Sequence, residues 1–323
     1  MPDVSTGQPA VRWHSDAAPA ASSLLASVPH DPRDDWFACP LEWIEGDFRG
    51  EAWSLELDAA EIESGQAHGW RYRRCGSIAL ATCHIDDGPD PDPEAIQQAA
   101  YDGYRALFAL QADLGLSELQ RIWHWLSSVT EGDGDDERYQ RFCRGRAEAL
   151  DTPGHPVRVL PPATLVSGAR RGVRMHALIG DRAVQPIENP RQVSAYRYPR
   201  DYGLRAPAFA RGGVATLGSS RYLLISGTAS IIGHESRHPG DVDAQADEAM
   251  NNLAAVIKAA APQIGAHALT DLECIKAYVR DPADAPAVRA RLSARLPGVP
   301  AALLHAPLCR EELLVEFEAQ MPV

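Results

Sequence analysis

Apolar and polar positions fall into two successive runs of the same order. In the first, Arg74-Cys75-Gly76-Ser77-Ile78-Ala79-Leu80-Ala81-Thr82-Cys83 is apolar enough to predict a strand. Ile96, Ala99, Ala100, Gly103, Leu107, Leu110 and Leu114 then recur at the helical period, with Pro93 suited to the first turn and Gly115 to the stop. A strand over 119–129, a helix over 135–150 and strands over 157–167 and 173–179 complete this run. In the second, a strand over 222–232 precedes the turn His238-Pro239-Gly240, and Ala246, Ala249, Met250, Leu253, Ala254 and Ile257 share one face of a helix over 242–261. A strand over 272–279, a helix over 285–296 and strands over 302–307 and 313–317 follow. Each half reads β-α-β-α-β-β, and Pro162-Ala163-Thr164-Leu165 in one answers Pro300-Ala301-Ala302-Leu303 in the other. The expectation is an α+β protein of two similar domains in tandem, each a mixed sheet with two helices on one face. A mobile tail is expected over 1–30, an N-terminal domain over 31–186 with short aromatic-rich strands at its start, and a C-terminal domain over 187–323.

The stretch 189–213, at the junction of the halves, follows neither period. It carries Tyr196, Tyr198 and Tyr202 with Arg191, Arg197, Arg200, Arg205 and Arg211. A long irregular segment in a compact chain is usually functional or disordered, and this composition argues against disorder. Arginine grips a carboxylate with two parallel donors, and tyrosine adds a hydroxyl on a flat apolar body, so the segment suits a small anionic ligand. Ligands favour domain junctions, which is where it lies.

Composition narrows the classes. A chain of 323 residues, 45% hydrophobic and 23% charged, has enough material for two domains with cores of their own. A net charge of -13 excludes a general nucleic-acid binder while leaving room for a local basic pocket. No apolar run reaches membrane-spanning length, and the N-terminus lacks the pattern of a secretory signal. The six cysteines are scattered without a CxxC pair, which predicts reduced thiols and a cytoplasmic protein.

Four features carry candidate chemistry, each beside a plainer alternative. His234-Glu235-Ser236-Arg237-His238 matches H-E-x-x-H, but zinc ligation needs both histidines on one helical turn. Here the run leaves a strand and meets Pro239-Gly240, so a polar turn or a pocket-shaping loop is expected and no metal. Glu316 and Glu318 share one face of a strand, Val315 and Phe317 the other. The pattern alone favours two solvated acids; the alternative is a half-buried carboxyl holding its proton at neutral pH for general acid–base work. Tyr139 and Arg146 lie on one face of a helix, as a solvated basic face or as a carboxylate clamp. Cys309, near a strand end, is a small buried apolar residue or part of a pocket lining.

Three stretches resemble the chorismatases: Asn189-Pro190-Arg191-Gln192-Val193-Ser194-Ala195-Tyr196-Arg197-Tyr198-Pro199; Ser226-Gly227-Thr228-Ala229-Ser230-Ile231-Ile232-Gly233 and its continuation to Val242; and Cys309-Arg310 with Leu313-Leu314-Val315-Glu316. The resemblance covers about residue 70 to the C-terminus. It implies two RidA/YjgF-like (chorismate-mutase-like) domains acting on chorismate with release of pyruvate. The RidA/YjgF deaminases use an arginine after the second helix; Pro300-Ala301-Ala302 stands there instead, so imine deamination is not expected. Within the family the chain is most similar to bifunctional synthases that make 3-hydroxybenzoate and 4-hydroxybenzoate for xanthomonadin-type pigments, with ubiquinone as a further destination. The resemblance implies Glu316 as catalytic acid/base, Tyr139, Arg146, Tyr198 and Arg211 on the substrate, and Ala229 and Cys309 at positions that vary with product. It implies no metal or organic cofactor and no partner beyond chorismate. Two fused domains make a monomer the expectation. A hydrolase giving a dihydroxycyclohexadiene acid, or a metabolite-binding protein without turnover, are the alternatives.

Overall fold

Two open sheets, each carrying its own helices, account for most of the chain. The computed structural model describes residues 11–15, 24–29, 41–48, 50–55, 62–88 and 92–323. The first half contains β1 (Val11–Ser15), β2 (Leu24–Pro29), β3 (Glu42–Gly46), β4 (Gly50–Leu55), β5 (Glu63–Ala67), β6 (Trp70–Cys75), β7 (Ile78–Ile85), α1 (Pro93–Leu114), β8 (Glu118–Leu126), α2 (Arg138–Asp151), β9 (Ala163–Ser167) and β10 (Val173–Gly180). The second contains β11 (Gln185–Ile187), β12 (Gly212–Leu217), β13 (Ser220–Ala229), β14 (Ile231–Ile232), β15 (Glu235–Ser236), α3 (Val242–Ile264), β16 (Cys274–Val279), α4 (Ala285–Arg295), β17 (Ala301–His305) and β18 (Val315–Pro322).

The strand orders are β5-β6-β7-β10-β8-β9 and β11-β12-β13-β18-β16-β17-β3. Their central quartets, β7-β10-β8-β9 and β13-β18-β16-β17, have the same connectivity. In each, the last pair is parallel and the others antiparallel. The duplication read from the sequence is therefore present in the hydrogen-bonded ladders.

Several boundaries differ from the expected ones. The single strand expected over 74–83 is a hairpin: β6 and β7 turn at Gly76, which takes a positive φ of 54°. Within the span expected as a tail, β1 and β2 pair with β4 in a small three-stranded sheet; the rest of that span lies outside the described residues. β3, expected in the first domain, is hydrogen bonded to β17 as the edge of the second sheet. The strand expected from residue 157 begins only at Ala163, and β18 runs on to Pro322.

Three apolar clusters divide the interior. Ile96, Leu107, Leu110 and Phe142 of α1 and α2 pack on Ile122, Met175 and Ile179 of the first sheet. Met250, Leu253, Val256 and Val288 of α3 and α4 pack on Leu223, Ile275 and Phe317 of the second. The third cluster joins residues of the two sheets: Leu80, Trp123, Trp125, Val166 and Leu178 of the first with Leu224, Tyr278, Ala302 and Leu304 of the second. The layers therefore run helices, sheet, sheet, helices, and the central strands are covered on both faces. That overturns the solvated reading of Glu316 and Glu318, which are only 5% and 4% exposed.

Candidate active site

A cavity of about 420 Å³ lies between the two halves. Its floor is β18 and β13 of the second sheet, and β9 of the first stands opposite. α2, the 189–213 segment and the loop before β18 supply the remaining walls.

Each wall is held by local interactions. Arg138, at the start of α2, pairs with Asp87 at 2.6 Å and donates from Nε to the Ser127 carbonyl at 2.8 Å, which fixes where the helix begins. At Gly145 a side chain would collide with the Gln97 carbonyl of α1, so only glycine lets the two helices approach this closely. The 189–213 segment forms two 3-10 turns (Ala195–Arg197 and Arg200–Tyr202) and is tied to the second domain at its start. Asn189 and Arg191 bond Asn252, Arg191 pairs with Glu248, and Val193 N–H donates to the Gly233 carbonyl at 2.9 Å. The loop before β18 is pinned by Arg280, which donates to the carbonyls of Leu308, Arg310 and Leu313. Gln245 holds the same loop through Glu312 and Leu314.

Glu316 stands at the floor, paired in register with Ala229 on one side and Tyr278 on the other. Its carboxyl makes no hydrogen bond to the described protein. Burial first, and then the charge of Glu318, push it up to about 8; Arg211 and Arg121 pull the other way. The ladder between β13 and β18 is irregular between Ile225 and Thr228, beside the carboxyl, and a side chain at Gly227 would collide with it. Glu318 has the opposite character. Lys276 Nζ (2.7 Å), Arg121 (3.0 Å), Trp123 Nε1 (2.7 Å) and the Tyr278 hydroxyl (2.9 Å) surround it, and Lys276 and Arg121 hold it ionised against the cost of burial.

Two buried guanidinium groups face the cavity. Arg146 is 2% exposed and Arg211 4%; neither makes an ion pair among the described residues, and the Nε of each has no hydrogen-bond partner. A buried cation without a carboxylate is costly, so a cavity holding two is built for an anion. Arg211 donates to the Tyr198 hydroxyl oxygen at 2.6 Å and to the Val193 carbonyl at 3.1 Å. The Tyr198 hydroxyl hydrogen is thereby left to donate elsewhere. Tyr139 also lines the cavity, its hydroxyl held well above its usual range by burial.

All seven residues singled out from the sequence line this one cavity: Glu316, Tyr139, Arg146, Tyr198, Arg211, Ala229 and Cys309. The thiol of Cys309 is pushed up to about 12, by burial and then by Glu316, and stays protonated at neutral pH. Cys83, Cys143 and Cys309 are free thiols; Cys39 lies outside the described residues.

Of the five arginines of the 189–213 segment, only Arg211 lines the cavity. Arg191 serves the anchor, Arg200 pairs with Asp135 at 2.7 Å, Arg205 pairs with Asp151, and Arg197 stacks on Tyr196. The H-E-x-x-H run is not helical: Glu235 and Ser236 form β15, and His234 meets the edge of Tyr202. Its carbonyl at His234 and the Ser236 hydroxyl accept from Arg310, so the run supports a cavity wall.

Sequence reasoning missed further lining groups. Arg310 stacks over Tyr202 at 4.2 Å and faces Tyr198 at 5.5 Å. His124 and Thr164 come from the first sheet. The His124 Nδ1–H donates to the Thr164 carbonyl at 3.1 Å, and its Nε2 accepts from the Tyr104 hydroxyl at 2.9 Å, so the ring is neutral. Burial and Arg146 bring its proton affinity down to about 3. At the mouth, half-buried Glu137 is pushed up to about 7 by burial and by Glu311 and Glu312. Two of these carried a signal: Thr164 in the repeated Pro162-Ala163-Thr164-Leu165 motif, and Arg310 in the Cys309-Arg310 motif, though neither was given a role.

Comparison with known proteins bears on this geometry. Residues 51–179 match the family model described as chorismatase FkbO/Hyg5-like, N-terminal. A 3-hydroxybenzoate synthase of Streptomyces hygroscopicus is 36% identical over 279 residues, 83% of this chain and 80% of its own length. A chorismatase of Streptomyces rapamycinicus is 35% identical over 281 residues, with the same shares covered. A chorismatase crystal structure at 1.08 Å resolution superposes with a TM-score of 0.80 at 28% identity, over 97% of this chain and 98% of that one.

Proposed function

The chain belongs to the FkbO/Hyg5-like chorismatases, and from that premise we propose that it converts chorismate to pyruvate and hydroxybenzoate, with 3-hydroxybenzoate and 4-hydroxybenzoate both formed. The observation that carries this reading is the pairing of two unpaired buried guanidinium groups with one buried carboxyl in a single cavity. Chorismate is a dianion, with one carboxylate on the ring and one on the enolpyruvyl arm. Arg146 and Arg211 are the two clamps, and Tyr139 and Tyr198 add hydroxyls and flat walls for the ring.

Glu316 is the acid. A carboxyl whose proton is held to about pH 8 is protonated at neutral pH and can deliver that proton to the methylene carbon of the enol ether. The ring C3–oxygen bond then breaks and the arm leaves as pyruvate. Loss of the ring C4 proton, returned to the Glu316 carboxylate, with the C4 hydroxyl retained gives 4-hydroxybenzoate. Attack of the C4 hydroxyl on C3, with its proton returned to Glu316, gives an arene-oxide-like intermediate that reopens with oxygen at C3, as 3-hydroxybenzoate. Both routes conserve the atoms of chorismate, and aromatisation drives both. Ala229, in register with Glu316, and Cys309, which lines the same cavity, are the residues expected to bias the partition. 3-Hydroxybenzoate suits an aryl pigment, and 4-hydroxybenzoate a quinone precursor.

The test is incubation of the purified protein with chorismate, quantifying pyruvate and resolving the aromatic acids by chromatography. Pyruvate with both hydroxybenzoates is expected. Glu316→Gln is expected to lower turnover by roughly 10²–10⁴-fold while chorismate still binds. A non-aromatic diene acid in place of the hydroxybenzoates would make the protein a hydrolase, and no pyruvate at all would leave a binding protein.

A further inference from the structure

Thr164 stands on β9, 3% exposed, with its side chain at the cavity wall. A threonine hydroxyl has one donor hydrogen and two acceptor lone pairs. Both lone pairs are taken: Arg121 donates to Oγ1 at 2.6 Å, and the Gly227 N–H donates to it at 3.0 Å. Neither donor can accept in return, so the hydroxyl hydrogen is left over. No acceptor among the described residues receives it.

A buried donor without an acceptor costs about 1–3 kcal/mol, and native proteins keep few of them. Here the residue lines the cavity, where a bound molecule can supply the acceptor. The group is also held in place, because its own backbone carbonyl accepts from His124 Nδ1–H. The Cβ position vacant at Gly227 is crowded by the Glu316 carboxyl on one side and lies 3.1 Å from Cγ2 of Thr164 on the other, so the hydroxyl and the acid share one corner. Glu316 accepts no bond from it in this structure. In the second half, the position answering Thr164 is Ala302, which has no donor.

We infer that Thr164 is a further substrate-contacting residue: its hydroxyl donates to an oxygen of the bound substrate, next to the carbon that Glu316 protonates. The inference rests on the cavity being the chorismate site. It gives the first domain a direct part in a reaction whose acid comes from the second.

The test compares wild-type protein, Thr164→Val, Thr164→Ser and Thr164→Cys in pyruvate release across pH. Thr164→Val keeps the shape and deletes the donor together with the acceptor used by Arg121 and the Gly227 N–H, and kcat/KM is expected to fall by about tenfold or more; Thr164→Ser, which keeps all three bonds, is the control. Thr164→Ser should stay within about threefold of wild type. The limb set by Glu316 near pH 8 should not move in either, since Thr164 does not bond that carboxyl. If Thr164→Val does not fold, Thr164→Cys, a weak donor of similar size, should show the same loss. The inference is overturned if the donor-poor variants keep wild-type kcat/KM, if Thr164→Ser is as impaired as they are, or if their loss comes with a displaced pH limb. Wild-type protein that releases no pyruvate would overturn the reading of the site and this inference with it; active wild type with active Thr164→Val overturns the inference alone.

Discussion

Glu316 and Glu318 stand two residues apart on one strand face and are held in opposite protonation states. The difference lies in their partners: four donors surround Glu318, and none among the described residues bonds Glu316. Activity that needs a protonated Glu316 is therefore expected to be full below pH 8 and to fall above it, as the carboxyl loses its proton. A pH profile of kcat/KM checks this, and a profile flat to pH 10 would remove Glu316 from the acid role. At the neighbouring Gly227, an alanine side chain would occupy the place of the carboxyl. Gly227→Ala is expected to lose activity by roughly 10²-fold or more, since an acid displaced by an ångström no longer meets its carbon. Circular dichroism should remain native in that variant.

At the scale of elements, the helices were the most legible part of the sequence. Pro93 opens α1 and Gly115 closes it at a positive φ of 64°, as the pattern predicts, and the Asp92 side chain caps its first turn. Strand ends were less so. The hairpin of β6 and β7 hid inside one apolar run, because its two-residue turn leaves the alternation nearly unbroken. The arginine-rich segment looked like one binding surface, yet only its last arginine lines the cavity. Which arginine faces the cavity and which meets a carboxylate depends on Asp135, Asp151 and Glu248, far away in sequence. The α1–α2 crossing is the element-scale contact on which Arg146 depends. Gly145→Ala would press a methyl group against the Gln97 carbonyl and is expected to cost about 1–3 kcal/mol. Chemical denaturation would measure it, and an unchanged midpoint would show that the helices separate freely.

For the whole molecule, the decisive feature is the packing of one sheet on the other. Trp123 and Arg121 of the first sheet reach across to Glu318 of the second, so the network that keeps Glu318 charged spans both domains. The charge of Glu318 in turn raises the proton affinity of Glu316. Glu318→Gln removes that charge and leaves Arg121 and Lys276 uncompensated. Both changes stabilise an ionised Glu316, so the basic limb is expected to move to lower pH, by about one unit or more. An unmoved limb would show that burial alone sets the acid. Among the described residues no helix is long and apolar enough to cross a membrane.

The sequence by itself determined the helices, the duplication and the residue types of the site, because period, capping and repetition are local properties of the chain. It also marked seven of the residues that line the cavity, through motifs resembling the chorismatases. Only the tertiary structure decided that the acidic face of β18 is buried, because that depends on a second sheet covering it. It alone decided that Arg146 and Arg211 form no ion pair among the described residues while Arg191, Arg200 and Arg205 do. Thr164 owes its spare hydrogen to Arg121 and Gly227, one from each half of the chain. Burial, pairing and proton affinity are relations between distant residues, and they exist only once the two sheets are packed together.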